Sequence, residues 1–348
     1  MATAKKLPSG HWRVNLFIGK ELDGKRKYKS FTAETKKEAE FMAAQYNLER
    51  KENKAHKLTL HEAVERYIES KRNILSPSTI RGYYDVLDNY CQNLMETQIG
   101  DLTQELIQIA INTMAAKYSS KTCRNAHGLI SAALRLYRPD FVLHTTLPQK
   151  SKREIYVPDE REIAEIYKLT VGTVNEIPVF LAAECGLRAS EISALRTENI
   201  KPTYIDIKEA MVLGDDGTDH LKPPKSSSGY RRVPISEQAY KYLISFADSD
   251  GRICARRSTY ICNSWSKFKE QNDLNKNLNF HALRHHYASK CILLGIPQKY
   301  IAELMGHSST DMIEKVYQHI FPSAMEVYSD KLRDQMTELC NTKSNILN

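Results

Sequence analysis

Five short stretches in the second half of the chain carry the side chains best suited to joint chemistry. They are Gly186-Leu187-Arg188-Ala189-Ser190-Glu191, Pro223-Pro224-Lys225-Ser226, His281-Ala282-Leu283-Arg284, Leu304-Met305-Gly306-His307 and Val316-Tyr317-Gln318-His319. An arginine is a permanent, forked cation that suits the oxygens of an anionic ester. A tyrosine attacks only when its phenol, with a pKa of about 10, loses its proton to a base or enters a strongly positive site. A lysine or histidine can move that proton or supply one to a basic leaving oxygen. Each residue alone has a plainer reading. Arg188 and Arg284 could be salt-bridged, Lys225 could be a solvated loop lysine, and Tyr317 is one of nineteen tyrosines. His281, His285, His286 and His307 raise the question of zinc. No cysteine or acidic ligand accompanies them at finger spacing, and the His281/His285 pair lacks the glutamate of a metalloprotease helix, so no metal is expected.

In this order the five stretches resemble the tyrosine recombinases of the phage-integrase type. The resemblance covers roughly residues 154–335. Arg188 and Glu191 match the Gly-Leu-Arg-x-x-Glu pattern, Lys225 the hairpin lysine, His281 and Arg284 the His-x-x-Arg pair, and His307 the Leu-Gly-His motif. Tyr317 matches the nucleophile. Met305 stands in the usual leucine place, and Ala282 where an acidic residue is frequent. The resemblance implies that Arg188, Arg284 and His307 stabilise charge developing on a DNA phosphate. It further implies that Tyr317 forms a 3′-phosphotyrosine link, Lys225 protonates the leaving 5′ oxygen and His281 takes the phenol proton. Glu191 would brace the helix carrying Arg188, and His285 and His286 would be packing or DNA-proximal residues. The bond energy stays in the protein–DNA ester, so neither ATP nor a cofactor is expected. The function implied is integration and excision of a mobile element. Type IB topoisomerase-like strand relaxation and a non-catalytic DNA-binding regulator are the alternatives. Implied partners are double-stranded DNA with core-type and arm-type sites and three further copies in a tetramer on DNA. An excisionase and a DNA-bending protein are further candidates. The apolar residues after Tyr317 (Ile320, Phe321, Met325, Val327, Leu332) would then pack on a neighbouring protomer, or else fold back on their own domain.

The elements that must position these groups imply a multidomain, mainly α chain. At 348 residues and 41% hydrophobic content it can build two or three cores. Net charge is +8, and residues 1–57 hold 14 Lys/Arg against 7 Asp/Glu, which suits a polyanion. Within that segment Trp12, Val14, Leu16 and Ile18 alternate, Asp23-Gly24 marks a hairpin and Thr35-x-x-Glu38 starts a helix. Residues 1–56 therefore form a small sheet plus helix, resembling an arm-binding domain, with Arg13, Lys25, Arg26, Lys27 and Lys29 as expected DNA contacts. Lys51–Lys57 read as a linker. Residues 57–140 form a helical core-binding bundle, with capping signals at Thr59-x-x-Glu62 and Ser76-Pro77. On it Lys121 and Arg124 are the expected contacts, with Lys71, Arg72 and Arg81 as further candidates. Residues 141–153 read as a second linker. Residues 154–348 form a mixed catalytic domain with short strands at Tyr204–Ile207, Ala210–Leu213 and Arg231–Ile235, and a tail that loses periodicity after about Gln335. Seven scattered cysteines fit a reducing cytoplasm, and no apolar run is long enough to span a membrane. The expected place is the cytoplasm of a prokaryotic host, at the nucleoid when DNA is bound.

Overall fold

The computed structural model describes residues 3–20, 26–150, 155–224 and 227–346. The chain divides into two compact units, Met1–Ser151 and Lys152–Asn348.

The first unit opens with an antiparallel sheet of β1 (Lys5–Lys6), β2 (Trp12–Lys20) and β3 (Arg26–Ala33), followed by helix α1 (Lys36–His56). Strand alternation divides β2 as the sequence implied. Val14 is fully buried with Ala39 and Ala43 of α1, and Trp12 and Phe31 pack against them. Arg13, Asn15 and Phe17 take the other, exposed face, opposite Thr32, Ser30 and Tyr28 of β3. Lys51–His56 continues α1, where a linker was expected. Residues 36–56 contain no Gly or Pro, and extending an established helix costs little.

The bundle consists of α2 (Leu60–Lys71), α3 (Pro77–Asn89), α4 (Gln92–Met95), α5 (Gln104–Ala115) and α6 (Ser120–Tyr137). The Thr59–Glu62 capping box forms in both directions at 3.1 and 3.2 Å. Residues 141–150 do not hang free as a tether. Gln104 and Gln108, one turn apart on α5, each hold the extended chain through a donor and an acceptor, at Val142 and His144 and at Thr146. Leu143 and Leu147 pack on the bundle core. An extended strap has no helical period, so the pattern alone reads as a linker.

The second unit contains α7 (Glu160–Thr170), α8 (Glu176–Cys185), α9 (Ala189–Ala194), β4 (Ile200–Lys201), β5 (Tyr204–Ile207), β6 (Ala210–Leu213), β7 (Asp219–Lys222), β8 (Arg231–Pro234), α10 (Glu237–Ile244), α11 (Ser258–Gln271), α12 (Phe280–Leu293), α13 (Gln298–Leu304) and α14 (Asp311–Ile346). The sheet order is β4-β5-β8, all antiparallel, and β6-β7 is a separate hairpin. Helices α8 and α12 run through the core with Trp265 and Val233 packed among them, and α12 is buried along most of its length although it carries Arg284, His285 and His286. Helix α14 continues through the expected tail to Ile346, with no Gly or Pro to stop it after Gln335. Among the described residues no helix is long and apolar enough to cross a membrane.

Candidate active site

The site is built where three helix ends meet. Helix α8 ends at Gly186 in the left-handed region (φ 62°), and a Cβ there would lie 2.5 Å from the Tyr287 ring. Only glycine permits both the turn and that contact. The turn delivers Arg188 to the N-terminus of α9, where its backbone N–H donates to Glu191 Oε2 at 2.9 Å and its Nη1 to Glu191 Oε1 at 2.7 Å. Helix α13 ends at Gly306 (φ 63°) with a Schellman pattern: His307 N–H donates to Ala302 O, and Gly306 N–H to Glu303 O. That turn fixes His307.

The last carbonyls of α13 and its turn are each taken by a different arginine. Arg231 Nε donates to Leu304 O at 2.7 Å, Arg284 Nη2 to Met305 O at 2.9 Å and Arg188 Nη2 to Gly306 O at 2.9 Å. A helix C-terminus leaves its final carbonyls unpaired and carries partial negative charge, so cations belong there. Glu191, itself buried, anchors the same arginines. Arg231 Nη2 and Nη1 reach its two oxygens at 2.7 and 3.0 Å, and Arg284 Nη1 lies 4.0 Å away. Burial alone would raise the Glu191 carboxyl. The hydrogen bonds and charge of Arg231, then Arg284 and Arg188, overcome it and hold the pKa at about 2.

Arg284 is 1% exposed, and its charge is opposed first by burial and then by Arg188. Its Nε and Nη1 have no protein acceptor among the described residues. Arg284 Nη2 also lies 3.2 Å from His307 Nε2, which assigns that nitrogen as the acceptor and puts the imidazole proton on Nδ1. His307 Nδ1 is buried and likewise lacks a partner. Desolvation, then Arg284, Arg188 and Arg231, push its pKa down to about 4. His281, whose side chain meets solvent, is also pushed to about 4, by desolvation and then by Arg284, Arg188 and His307. Its ring stands edge-on to that of buried His285, with centroids 5.1 Å apart. His286 does something else: its Nδ1 lies 3.1 Å from Pro158 O and fastens the segment ahead of α7.

Arg188, Glu191, His281, Arg284 and His307 thus share one basin. Tyr317 belongs to α14, one residue after fully buried Val316, which packs with Ile313 against α12 and α13; its side chain lies outside what is described. Lys225 also lies outside the described residues. Pro224 and Gly229 lie close together, since a Cβ on Gly229 would overlap the Pro224 side chain. Sequence reasoning missed Arg231. The signal was present: with Val233 buried on a strand, period two places Arg231 on the same face. Among the described residues no three His, Cys, Asp or Glu side chains group as metal ligands.

The first unit carries the expected DNA contacts. Arg13 is exposed and donates to Thr32 Oγ1, Arg26 and Lys121 are exposed, and the Lys29 ammonium sits 3.9 Å from the Tyr46 ring centroid. Arg124 is half-buried and donates to Pro148 O, and Arg72 is paired with Glu69. Lys25 and the side chain of Lys27 lie outside the described residues.

An arrangement of convergent guanidiniums and an N–H donor can bind a tetrahedral oxyanion and stabilise further negative charge on it. Comparison with known proteins agrees. The phage integrase family model matches residues 157–323. A tyrosine recombinase XerC-like protein of Caldanaerobacter subterraneus is 24% identical over 381 aligned positions, covering 92% of this chain and 96% of that one. The transposase from transposon Tn916 of Enterococcus faecalis is 24% identical over 219 positions, about half of each chain. The Tn1549 transposon integrase, solved with a circular intermediate DNA, superposes with a TM-score of 0.64 at 15% identity, covering 79% of this chain and 99% of that one. A lambda integrase dimer bound to a core site gives 0.60 at 17% identity, covering 90% and 94%. Through residues 157–323 the chain belongs to the phage integrase family and is a tyrosine recombinase.

Proposed function

We propose that the basin holds a scissile DNA phosphate, with Arg284, Arg188 and His307 donating to its non-bridging oxygens. The observation that carries this reading is the set of buried donors without a protein acceptor, Arg284 Nε and Nη1 and His307 Nδ1, at one place. Attack by Tyr317 forms the tyrosine O–P bond, breaks the P–O5′ bond and adds negative charge to the equatorial oxygens. The phenol proton passes to His281. A pKa of about 4 keeps that imidazole neutral at pH 7, the state a base must be in, and an arriving anionic phosphate raises its basicity. Lys225 gives the leaving 5′ oxygen its proton. The products are a 3′-phosphotyrosine ester and a free 5′ hydroxyl, and attack by a new 5′ hydroxyl reverses the step. The bond energy is conserved throughout, so integration and excision of a mobile element need no ATP.

The three functional regions follow the sequence boundaries: residues 1–56 for arm-type sites, 57–140 for core-type sites and 154–348 for chemistry. Exchange of strands between duplexes requires more than one protomer, and lambda integrase has been solved as a tetramer on a Holliday junction. The exposed Met325 and Leu332 of α14, with Met336 and Leu339 beyond them, support packing of this helix on a neighbouring protomer. An excisionase and a DNA-bending protein would set direction.

The test is covalent trapping on a nicked duplex carrying the junction sequence at the boundary of the DNA element that encodes the chain. Wild type should give a protein–DNA adduct and Tyr317→Phe none, with DNA binding retained. No adduct from either chain would refute the reading. Relaxation of supercoiled plasmid without that junction would point to a topoisomerase instead.

A further inference from the structure

Arg231 differs from its two neighbours in one respect. Each of its three nitrogens already donates within the protein: Nε to Leu304 O, Nη1 to Glu191 Oε1 and to Gly229 O, and Nη2 to Glu191 Oε2. Its side chain is 1% exposed. It is therefore placed to organise the basin and not to bind the phosphate. Arg284 is the reverse case, buried with two nitrogens unpartnered.

We propose that Arg231 is a positioning residue for strand cleavage: it occupies both oxygens of Glu191, so that Arg284 stays available to the phosphate, and it ties β8 to the end of α13. The inference rests on the reading of Arg188 and Arg284 as the phosphate clamp. Without Arg231, the Glu191 carboxylate would be a buried anion with one oxygen lacking a side-chain cation. Arg284 Nη1, 4.0 Å away, is the nearest replacement, and a movement of about 1 Å would complete that ion pair. The guanidinium would then be tied to Glu191. The link to Leu304 would also be lost, and with it the hold on the turn that presents His307. A Cβ on Gly306 would lie 2.9 Å from Arg231 Nη1, which shows how closely that turn is fitted to the guanidinium. On the other side, the bond to Gly229 O holds the turn just ahead of β8.

The experiment compares wild type, Arg231→Lys, Arg231→Met, Glu191→Gln and the Arg231→Met/Glu191→Gln double variant. The readouts are adduct formation on the same nicked junction duplex, binding to it and thermal melting. Arg231→Met should slow adduct formation about 10²-fold with binding changed only a few-fold, a size typical of a misplaced oxyanion donor. Arg231→Lys, which keeps the charge but not the fork, should fall between. Adding Glu191→Gln to Arg231→Met should recover at least about tenfold, because the competing carboxylate is gone. A mere brace gives the opposite order: a double variant as slow as Arg231→Met or slower overturns the proposal, as does wild-type cleavage by Arg231→Met. If Arg231→Met does not fold, the double variant is compared with Glu191→Gln alone. A difference of under about tenfold supports the proposal, and one of about 10² overturns it. Absence of any wild-type adduct would instead sink the underlying reading, and the inference with it.

Discussion

Replacing Arg284 with methionine should abolish most cleavage and yet leave the protein as stable as before, or more so. The guanidinium is 1% exposed and sits beside two other arginines. Its carboxylate neighbour, Glu191, is already held by Arg231 and Arg188, so removing Arg284 leaves no uncompensated anion. The losses are a hydrogen bond to Met305 O, about 1 kcal/mol, and about 1–3 kcal/mol for the carbonyl left behind. Against them stand two buried nitrogens without protein acceptors, about 1–3 kcal/mol each, and relief of burying a cation, several kcal/mol. A methionine of similar shape fills the space. The balance favours the variant by about 1–3 kcal/mol, and about 2–4 °C in melting temperature accompanies each kcal/mol in a unit of this size. Cleavage should fall about 10²–10³-fold. Calorimetry or thermal melting, paired with covalent trapping, gives both quantities. A fall in melting temperature of more than about 5 °C would refute the reasoning and make Arg284 a structural keystone instead of a strained ligand.

Three further outcomes follow from the same geometry. Gly306→Ala should cost about 1–2 kcal/mol from its left-handed backbone and displace His307, so melting temperature and adduct yield should fall together. His285 and His307 are held at about 4 against an ordinary 6.5, so between those values the unfolded chain binds more protons and the folded chain loses stability as pH falls. Denaturant titrations across that window should show less acid sensitivity in His285→Gln; unchanged sensitivity would exclude His285 as a source. Removing residues 1–57 should lower the slope of log affinity against log salt by about 0.9 for each phosphate that the segment neutralises, while adduct formation on the core duplex persists.

How much of this was legible depended on what kind of signal each residue leaves. Arg188, Glu191, Arg284 and His307 sit in local patterns whose spacing is set by helix ends, and the fold brings them together. The two glycines beside them are visible in sequence, but their reasons, the Tyr287 ring and the Arg231 guanidinium, come from residues far along the chain. Arg231 itself was hidden because the strand holding it is four residues long, too short for its alternation to stand out. The two stretches read as linkers carry structure that the sequence pattern did not show, for opposite reasons. Lys51–His56 is polar yet helical, because extending α1 needs no apolar stripe. Residues 141–150 lack any period yet are fastened, because two glutamine side chains act as their strand partner.

The arrangement also answers a difficulty that any phosphate-cleaving basin faces, which is how a folded core can keep several cations together before DNA arrives. One buried glutamate cannot neutralise three arginines, and full neutralisation would leave nothing to stabilise the reaction. The carbonyls of Leu304, Met305 and Gly306 take up part of the load as dipoles, which hold guanidiniums in place without cancelling their charge. Glu191 cancels one charge and leaves a formal excess of two. A phosphodiester brings one negative charge, and attack by a phenolate, whose proton has gone to His281, puts a second on the phosphoryl oxygens. Those oxygens therefore face the arginines with their full charge only at the transition state, which is where such a site must bind most tightly to accelerate the reaction.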